Sequence, residues 1–273
     1  MSVSNTLRLE LASFTYDGGR DYNEDAVGEG DAYDAVRLFM LADGAGGQGG
    51  GDVAAKTAIA AARAEFLRFP SYSMDTLVRC IAVADTAVRT KQTEETRLSR
   101  MATTFVAALV DRKQRQLLLA NLGDSRAYVF RGGSIVAQSY DHSLVQRFID
   151  AGLYPADKLR AHPKRNVLYA SLGANEEAVD PYVSESPVAI EGGDGILLCS
   201  DGVWELVDEA TLCRLHAMST SVAQWREQVI AAVRGRMAPG HDNFSALLVR
   251  CFVATEPEDD GLRTLPPDFV RKP

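Results

Sequence analysis

The sequence predicts an α+β domain built from antiparallel sheets with helices packed against them. Between residues 105 and 139, short apolar segments follow one another across tight turns, which favours antiparallel meanders over a Rossmann-type nucleotide-binding sheet. Segments 52–69 and 75–95 repeat apolar residues at helical spacing, and segments 208–218 and 222–236 do the same. These four segments are the predicted helices.

Composition and charge limit the classes of function. The chain has 273 residues, 46% of them hydrophobic, and a net charge of −8, which fits one large domain and disfavours a nucleic-acid-binding protein. The sequence has no run of about 18 apolar residues, so we expect no membrane span. The N-terminus lacks the basic segment followed by an apolar one that is typical of a signal peptide, and the four cysteines are scattered. We therefore expect a cytoplasmic protein. We expect one domain over residues 1–253 and a disordered, proline-rich tail at 254–273.

The first predicted strand, at 7–16, alternates apolar and polar residues and leads through a glycine turn into the charged segment 20–25. Neighbouring side chains on an extended chain point in opposite directions. We therefore expect one of Glu24 and Asp25 to bind a ligand directly and the other to lie behind it. Considered alone, such a segment is more often a solvated loop.

The central stretch is a predicted strand at 36–42 that ends at Asp43 and continues into a glycine-rich run, 44–51. An acid at a strand end followed by glycine can offer a cation both a side-chain oxygen and a main-chain oxygen. A flexible glycine loop with an incidental aspartate is the alternative, and this stretch alone does not decide between the two.

The second half of the chain repeats this pattern. Strand 195–199 ends at Ser200-Asp201-Gly202, and the turn Gly240-His241-Asp242-Asn243 leads into a strand at 244–253. The meander consists of strands at 105–110, 116–121, 126–131 and 134–139, followed by a short helix at 144–151. The irregular segment 152–175, with its basic cluster around Arg160 and Arg165, is typical of a lid and equally of a surface excursion without a role.

Acids recur at strand ends and tight turns, where functional groups concentrate: Glu24, Asp43, Asp124, Asp201 and Asp242. Gathering carboxylates without cations is unfavourable because like charges repel. An oxygen-only ligand set favours magnesium, manganese or calcium over zinc. Two such ions about 3.5–4 Å apart can activate a bridging water for in-line attack on a phosphoryl group, and Arg20 could pair with phosphate oxygens.

The motifs, in their order along the chain, resemble those of the metal-dependent serine/threonine protein phosphatases of the protein phosphatase 2C type, particularly the compact bacterial form. The resemblance covers 7–253 and is carried by Arg20-Asp21-Tyr22-Asn23-Glu24-Asp25, Asp43-Gly44-Ala45-Gly46-Gly47, Thr103-Thr104, Gly123-Asp124-Ser125-Arg126, Asp141-His142-Ser143, Ser200-Asp201-Gly202 and Asp242-Asn243. It implies a four-layer α/β/β/α sandwich of two antiparallel sheets with helices on both outer faces. It also implies hydrolysis of phosphoserine and phosphothreonine by a metal-bridging water.

The resemblance implies two Mn2+ or Mg2+ ions per site and a third, weaker ion. Asp43 would bridge the first two, with Glu24 and the Gly44 carbonyl completing one site and Asp201 and Asp242 the other. Asp124, together with Asp201, would hold the third ion. Arg20 would bind the substrate phosphate and Asp25 would order metal-bound water. Asn243, Thr103 and Thr104, and the Asp141-His142-Ser143 turn, would support the site, and 152–175 would be the flap.

Two positions depart from the pattern. The glycine that usually precedes the Thr-Thr pair is Ala102 here, a small change to which we assign no consequence. Some family members carry a histidine directly after the first Asp-Gly, proposed as the general acid, and here that residue is Ala45. Metal-bound water or His241 could take the role, and we favour water. We expect phosphorylated proteins as substrates and a cognate bacterial serine/threonine kinase as a partner. A catalytically silent binding module and a regulatory phosphatase of a small signalling partner are the alternatives.

Overall fold

The computed structural model describes residues 6–32, 35–45, 50–155, 158–160, 162–174 and 180–253, together with the backbone of 263–264. The predicted disordered tail, apart from that two-residue strand, and the glycines at 46, 47 and 49 lie outside the described residues. The strands, in chain order, are β1 (Leu7–Tyr16), β2 (Ala26–Ala32), β3 (Val36–Ala42), β4 (Gly44–Ala45), β5 (Ala102–Thr103), β6 (Phe105–Asp111), β7 (Gln116–Leu122), β8 (Arg126–Arg131), β9 (Ser134–Gln138), β10 (Tyr182–Val183), β11 (Val188–Ala189), β12 (Gly195–Cys199), β13 (Phe244–Val253) and β14 (Arg263–Thr264). The helices are α1 (Gly51–Arg68), α2 (Met74–Glu94), α3 (Leu144–Asp150), α4 (Asp201–Trp204), α5 (Glu209–Met218) and α6 (Val222–Arg234).

The strands form two large sheets and a small ribbon. The first sheet has the order β14-β1-β13-β12-β8-β9 and the second the order β10-β7-β6-β3-β2, with β11 also paired to β7. Neighbouring strands are antiparallel, except that β14 runs parallel to β1. Strands β4 and β5 form the ribbon, with Gly44 opposite Thr103.

Three apolar cores fill the spaces between four layers. The core between the sheets joins side chains such as Leu9 and Val249 of the first sheet to Phe39 and Val106 of the second. Helices α1 and α2 cover the outer face of the second sheet, and α5 and α6 cover the outer face of the first. The predicted α+β, four-layer sandwich is confirmed.

Helix ends follow from local hydrogen-bonding chemistry. The side chains of Ser73, Ser143, Asp208 and Ser221 accept hydrogen bonds from backbone N–H groups in the first turns of α2, α3, α5 and α6. Such caps satisfy N–H groups that lack partners within the helix. No helix among the described residues has both the length and the apolar character needed to cross a membrane, and all four cysteines are buried and free.

His216 of α5 is buried in the outer core, 4.9 Å from the ring of Trp225 and 5.5 Å from that of Phe130. Its ring also occupies the space that a side chain at Gly195 would need. Burial, assisted by the positive charge of Arg250, lowers the pKa of His216 to about 4.

This buried imidazole predicts an acid sensitivity of the fold. Because the folded-state pKa lies below the unfolded-state value, the unfolded chain binds a proton more readily between pH 6.5 and 4. The free energy of unfolding should therefore fall as the pH is lowered through this window. We expect His216→Phe to remove about 2 kcal/mol of the loss between pH 7 and 5, measured by urea unfolding. An unchanged pH dependence in the variant would contradict this assignment.

Candidate active site

The five acids singled out by the sequence meet at one edge of the sandwich. Each follows or precedes a strand that ends there, and together they line one cavity of about 510 Å³. Arg20, Gly44 and Asn243 line the same cavity, whereas Asp25 and Thr103 lie behind it. The full lining is Gly19, Arg20, Asp21, Tyr22, Glu24, Asp43, Gly44, Ala45, Thr104, Asp124, Asn166, Leu168, Asp201, Asp242 and Asn243.

Two threonines hold the backbone of Asp43 through both its N–H and its carbonyl group. Thr103 is the last residue of β5, and Thr104 follows it. Thr104 Oγ1 accepts a hydrogen bond from Asp43 N at 2.9 Å, and Thr104 N and Thr103 Oγ1 donate to Asp43 O at 2.8 and 2.9 Å. The hydroxyl of Thr104 also contacts Ser125 Oγ at 2.7 Å, next to Asp124. The threonine pair therefore fixes Asp43 relative to the turn that carries Asp124.

Asn243 ties the first loop of the site to the last strand. Its Nδ2 donates to the carbonyls of Asp17 and Tyr22 at 2.9 and 3.0 Å, and its Oδ1 accepts from Glu24 N at 2.9 Å. The loop approaches so closely that a Cβ at Gly18 would lie 2.0 Å from the Asp242 carbonyl oxygen, and Gly18 has a φ of +65°. Only glycine suits both conditions.

Glu24 and Arg20 already have protein partners. Glu24 Oε1 accepts a hydrogen bond from Gly51 N, the first residue of α1, at 3.0 Å. The guanidinium of Arg20, about half exposed, lies 2.8 Å from Asp242 Oδ2. Arg20, the predicted phosphate-binding residue, and Asp242, a predicted metal ligand, therefore form an ion pair with each other in this structure.

Asp25 lies beneath the cavity floor with 6% of its surface exposed. Its Oδ2 accepts a hydrogen bond from Ser200 Oγ at 3.0 Å, while its buried Oδ1 has no partner among the described residues. Burial raises the pKa of Asp25 to about 6. An orphaned, buried carboxylate oxygen next to a polar cavity is suited to accept a hydrogen bond from a water or ligand inside it.

Burial has the largest influence on the acids of the cavity, and repulsion between them adds to it. Burial first, and then the charges of Asp25, Asp201 and Asp124, hold the pKa of Asp43 well above its usual range. Burial and the charge of Asp124 do the same to the pKa of Asp201. The pKa of Asp124 rises to about 7, and burial also raises the pKa of Glu24.

The donor chemistry fits divalent cations. Every candidate ligand is an oxygen, and a cation between the carboxylates would offset the repulsion that raises their pKa values. As the described side chains stand, no three His, Cys, Asp or Glu residues are grouped closely enough to enclose an ion. Ligation by the carboxylates would therefore involve movement of their side chains, and at Asp242 it would compete with the contact to Arg20.

His241, the alternative general acid, is engaged elsewhere. Its Nε2 lies 2.9 Å from the carbonyl oxygen of Gly202, and the residue is not part of the cavity lining. An imidazole that donates to this carbonyl is not positioned to protonate a leaving group inside the cavity.

The basic cluster of the irregular segment turns towards the protein. Arg160 donates to the Trp204 carbonyl and to Glu209 Oε1, both at 2.8 Å, and Arg165 forms an ion pair with Glu205. These contacts anchor the segment on α4 and α5, and Asn166 and Leu168 then reach the cavity. The sequence analysis missed these two residues, because neither follows a strand end or belongs to a recognisable motif.

Trp204 is a third residue that the sequence analysis missed. Its Nε1 donates to the carbonyl of Asp124 at 2.9 Å, and its ring lies 3.7 Å beneath the guanidinium of Arg126. Arg126 in turn pairs with the buried Asp141, at 2.6 Å. The indole thus holds the turn that carries Asp124.

A pair of tryptophan variants tests this role. Trp204→Phe keeps an aromatic ring but leaves the Asp124 carbonyl without its donor, whereas Trp225, equally buried, has no partner for its Nε1 among the described residues. We expect Trp204→Phe to lower the free energy of unfolding by about 1–2 kcal/mol more than Trp225→Phe. Equal losses in urea unfolding would show that the indole hydrogen bond has no net effect.

Comparisons with known proteins agree with this geometry. The family model described as Protein phosphatase 2C matches residues 19–234. Serine/threonine phosphatase stp of Listeria innocua is 30% identical over 246 residues, which cover 87% of this chain and 94% of that protein.

Solved structures give the same picture. The serine/threonine phosphatase PstP/Ppp of Mycobacterium tuberculosis superposes with a TM-score of 0.75 and 30% identity, covering 89% of this chain and 98% of that one. The catalytic domain of PstP in complex with two manganese ions has a TM-score of 0.74 and 28% identity, covering 90% of this chain and all of that one.

Proposed function

The chain belongs to the protein phosphatase 2C family, and we propose that it is a metal-dependent phosphatase that removes phosphate from serine and threonine side chains of proteins. The observation that carries this proposal is the convergence of five acids on one cavity, where burial and mutual repulsion raise the pKa values of Asp43 and Asp201. The activity of its relatives, including a family member with two manganese ions, supports it. We assign the catalytic domain to residues 1–253.

The proposed ligands are those that the family resemblance implies, and all of them line the cavity. Asp43 would be shared by two Mn2+ or Mg2+ ions, with Glu24 and the Gly44 carbonyl on one side and Asp201 and Asp242 on the other. Asp124, with Asp201, would hold a third, weaker ion. When bound, the two ions would lower the pKa of a water between them and polarise the phosphoryl group for in-line attack.

The chain's own residues would orient the reactants. If Asp242 binds a cation, the guanidinium of Arg20 would be available to hold two phosphate oxygens in its planar fork. Asp25 Oδ1, buried and orphaned, would accept a hydrogen bond from the attacking water and so fix its direction. Because His241 Nε2 is hydrogen-bonded to the Gly202 carbonyl, we propose that a water held in the cavity, rather than this imidazole, would protonate the leaving alkoxide oxygen of the serine or threonine.

The proposal is tested with three peptides of one sequence that carry phosphothreonine, phosphoserine or phosphotyrosine. We expect added Mn2+ to support hydrolysis of the first two, a chelator to abolish it, and Arg20→Ala to raise KM for the phosphopeptide. Hydrolysis that survives the chelator would overturn the metal dependence, and a preference for phosphotyrosine would overturn the substrate class. Phosphopeptide binding without turnover would favour a silent binding module. A kinase that phosphorylates the same proteins is the partner this activity implies.

A further inference from the structure

We infer that Tyr22 determines substrate specificity by contacting the polypeptide next to the phosphorylated residue. The inference rests on the proposed function and names the part of the substrate, beyond the phosphate, that the cavity recognises. Tyr22 lines the cavity between Arg20 and Glu24, yet 50% of its surface is exposed. Single exposed aromatic residues are common on protein surfaces, so the exposure of Tyr22 does not by itself indicate a function. Its place in the cavity and the residues around it are what indicate one.

The backbone beneath Tyr22 is fixed. Its carbonyl accepts a hydrogen bond from Asn243 Nδ2, and the same amide group also binds the backbone of Asp17 and of Glu24. Gly19 N adds a hydrogen bond to the His241 carbonyl at 2.7 Å. A tyrosine has only two side-chain torsions, so a ring on such a loop loses little conformational entropy when it binds a partner.

Most side chains of the described residues that line the cavity are polar or charged. Apart from the small Ala45, the apolar side chains of this lining are those of Tyr22 and of Leu168, which the anchored segment supplies. The volume of about 510 Å³ lies within the range of pockets that hold whole small molecules, so the cavity has room for more than a phosphoryl group. An apolar substrate group inside it has these two side chains as its apolar contacts among the described residues.

The charges around Tyr22 limit which substrate side chain can lie next to the phosphorylated residue. Asp21, which is exposed, lines the cavity beside Tyr22, and Glu24 and the acids of the floor lie beyond it. Arg20, the cation among the described lining residues, is the residue proposed to hold the phosphate and is then not available to a second anion. A carboxylate on the substrate next to the phosphorylated residue would meet this negative rim, whereas an apolar side chain would bury surface against the tyrosine ring. The favoured substrate is therefore a polypeptide with an apolar residue beside the phosphothreonine or phosphoserine.

The test compares a phosphothreonine peptide that has leucine beside the phosphorylated residue with N-acetyl-O-phosphothreonine amide, which has no neighbouring residues. We expect Tyr22→Ala to lower the ratio of kcat/KM for the peptide to kcat/KM for the amide about tenfold, mainly through KM, and Tyr22→Phe to restore it. Phe69→Ala is the matched control, because Phe69 is an aromatic residue with 51% of its surface exposed that lies at the end of α1, outside the cavity lining. This control should leave the ratio within twofold of the wild type.

Three outcomes would count against the inference. A ratio unchanged in Tyr22→Ala, or equal losses on both substrates, would show that the ring has no contact with the polypeptide or only a structural role. The measurement is repeated with a peptide that has aspartate in place of the leucine. If Tyr22→Ala lowers the ratio for this peptide as much as for the leucine peptide, the preference for an apolar neighbour is overturned. If the wild-type protein with Mn2+ hydrolyses neither substrate, the proposed function itself fails, which is a result distinct from the other two.

Discussion

Replacing Asp201 by asparagine is expected to reduce Mn2+-dependent hydrolysis of a phosphothreonine peptide by 100-fold or more, in the range of about 10²–10³ reported for the loss of one electrostatic contact to the transition state. The same change should raise the melting temperature of the protein in the presence of a chelator. Both effects have one cause. Burial, and after it the charge of Asp124, disfavours the charged carboxylate of Asp201 in the absence of cations, so removing that charge stabilises the fold while weakening cation binding.

The expected loss of activity and the expected gain in melting temperature have opposite signs, so a general loss of structure cannot produce both. Asp75→Asn, at an exposed position on α2 remote from the cavity lining, is the control and should change neither quantity appreciably. A variant of Asp201 with full activity would contradict its role as a ligand. A variant that loses activity and also loses stability in the chelator would indicate that Asp201 acts mainly through local structure.

Gly202→Ala is expected to lower activity by about 100-fold and the free energy of unfolding by about 1–3 kcal/mol, the typical cost of overpacking a close contact. A Cβ at Gly202 would lie 2.1 Å from the Asn243 carbonyl oxygen and 3.1 Å from the Cβ of Phe244. Because backbone cannot give way as a flexible side chain can, α4 would have to move away from β13. This movement separates Asp201 from Asp242, and Mn2+ should then support turnover only at higher concentration.

Gly235→Ala is the matched control for this substitution. Gly235 follows α6, its φ of −69° suits alanine, and the nearest atom to an added Cβ is the Ala231 carbonyl oxygen at 3.2 Å. We expect nearly wild-type activity and metal dependence. Wild-type Mn2+ dependence in Gly202→Ala would show that the spacing between these two acids tolerates a shift of α4.

The sequence predicted those parts of the fold in which local pattern and tertiary structure agree. The alternation along β1, the tight turns of the meander and the strand that delivers Asp43 all have strong local signals. Strand β2 does not, because Gly28 and Gly30 weaken a strand pattern. Both glycines are explained only by tertiary packing: a Cβ at either position would collide with Ile59 or Phe66 of α1.

In the candidate site, too, some residues have a local sequence signal and others are explained only by tertiary structure. Glu24, Asp43 and Asp201 could be found because each stands beside a turn at a strand end. Their convergence could only be inferred by resemblance, since it depends on how the two sheets are stacked. Trp204 and Leu168 had no signal, because a buried tryptophan on a short helix and a leucine in an irregular segment are ordinary until their distant partners are known.

The pairing of β1 with β13 has a consequence for biosynthesis. Strand β13 lies in the first sheet between β1 and β12, and β14, the other neighbour of β1, follows β13 in the chain, so β1 has no neighbour in this sheet until the 10-residue β13 has been synthesised. Asn243, which fixes the loop of Arg20 and Tyr22, arrives at the same late moment. A nascent chain that stops before this point would expose the inner edge of β12 and lack the ordered loop, so we expect shortened products to be inactive and prone to aggregation.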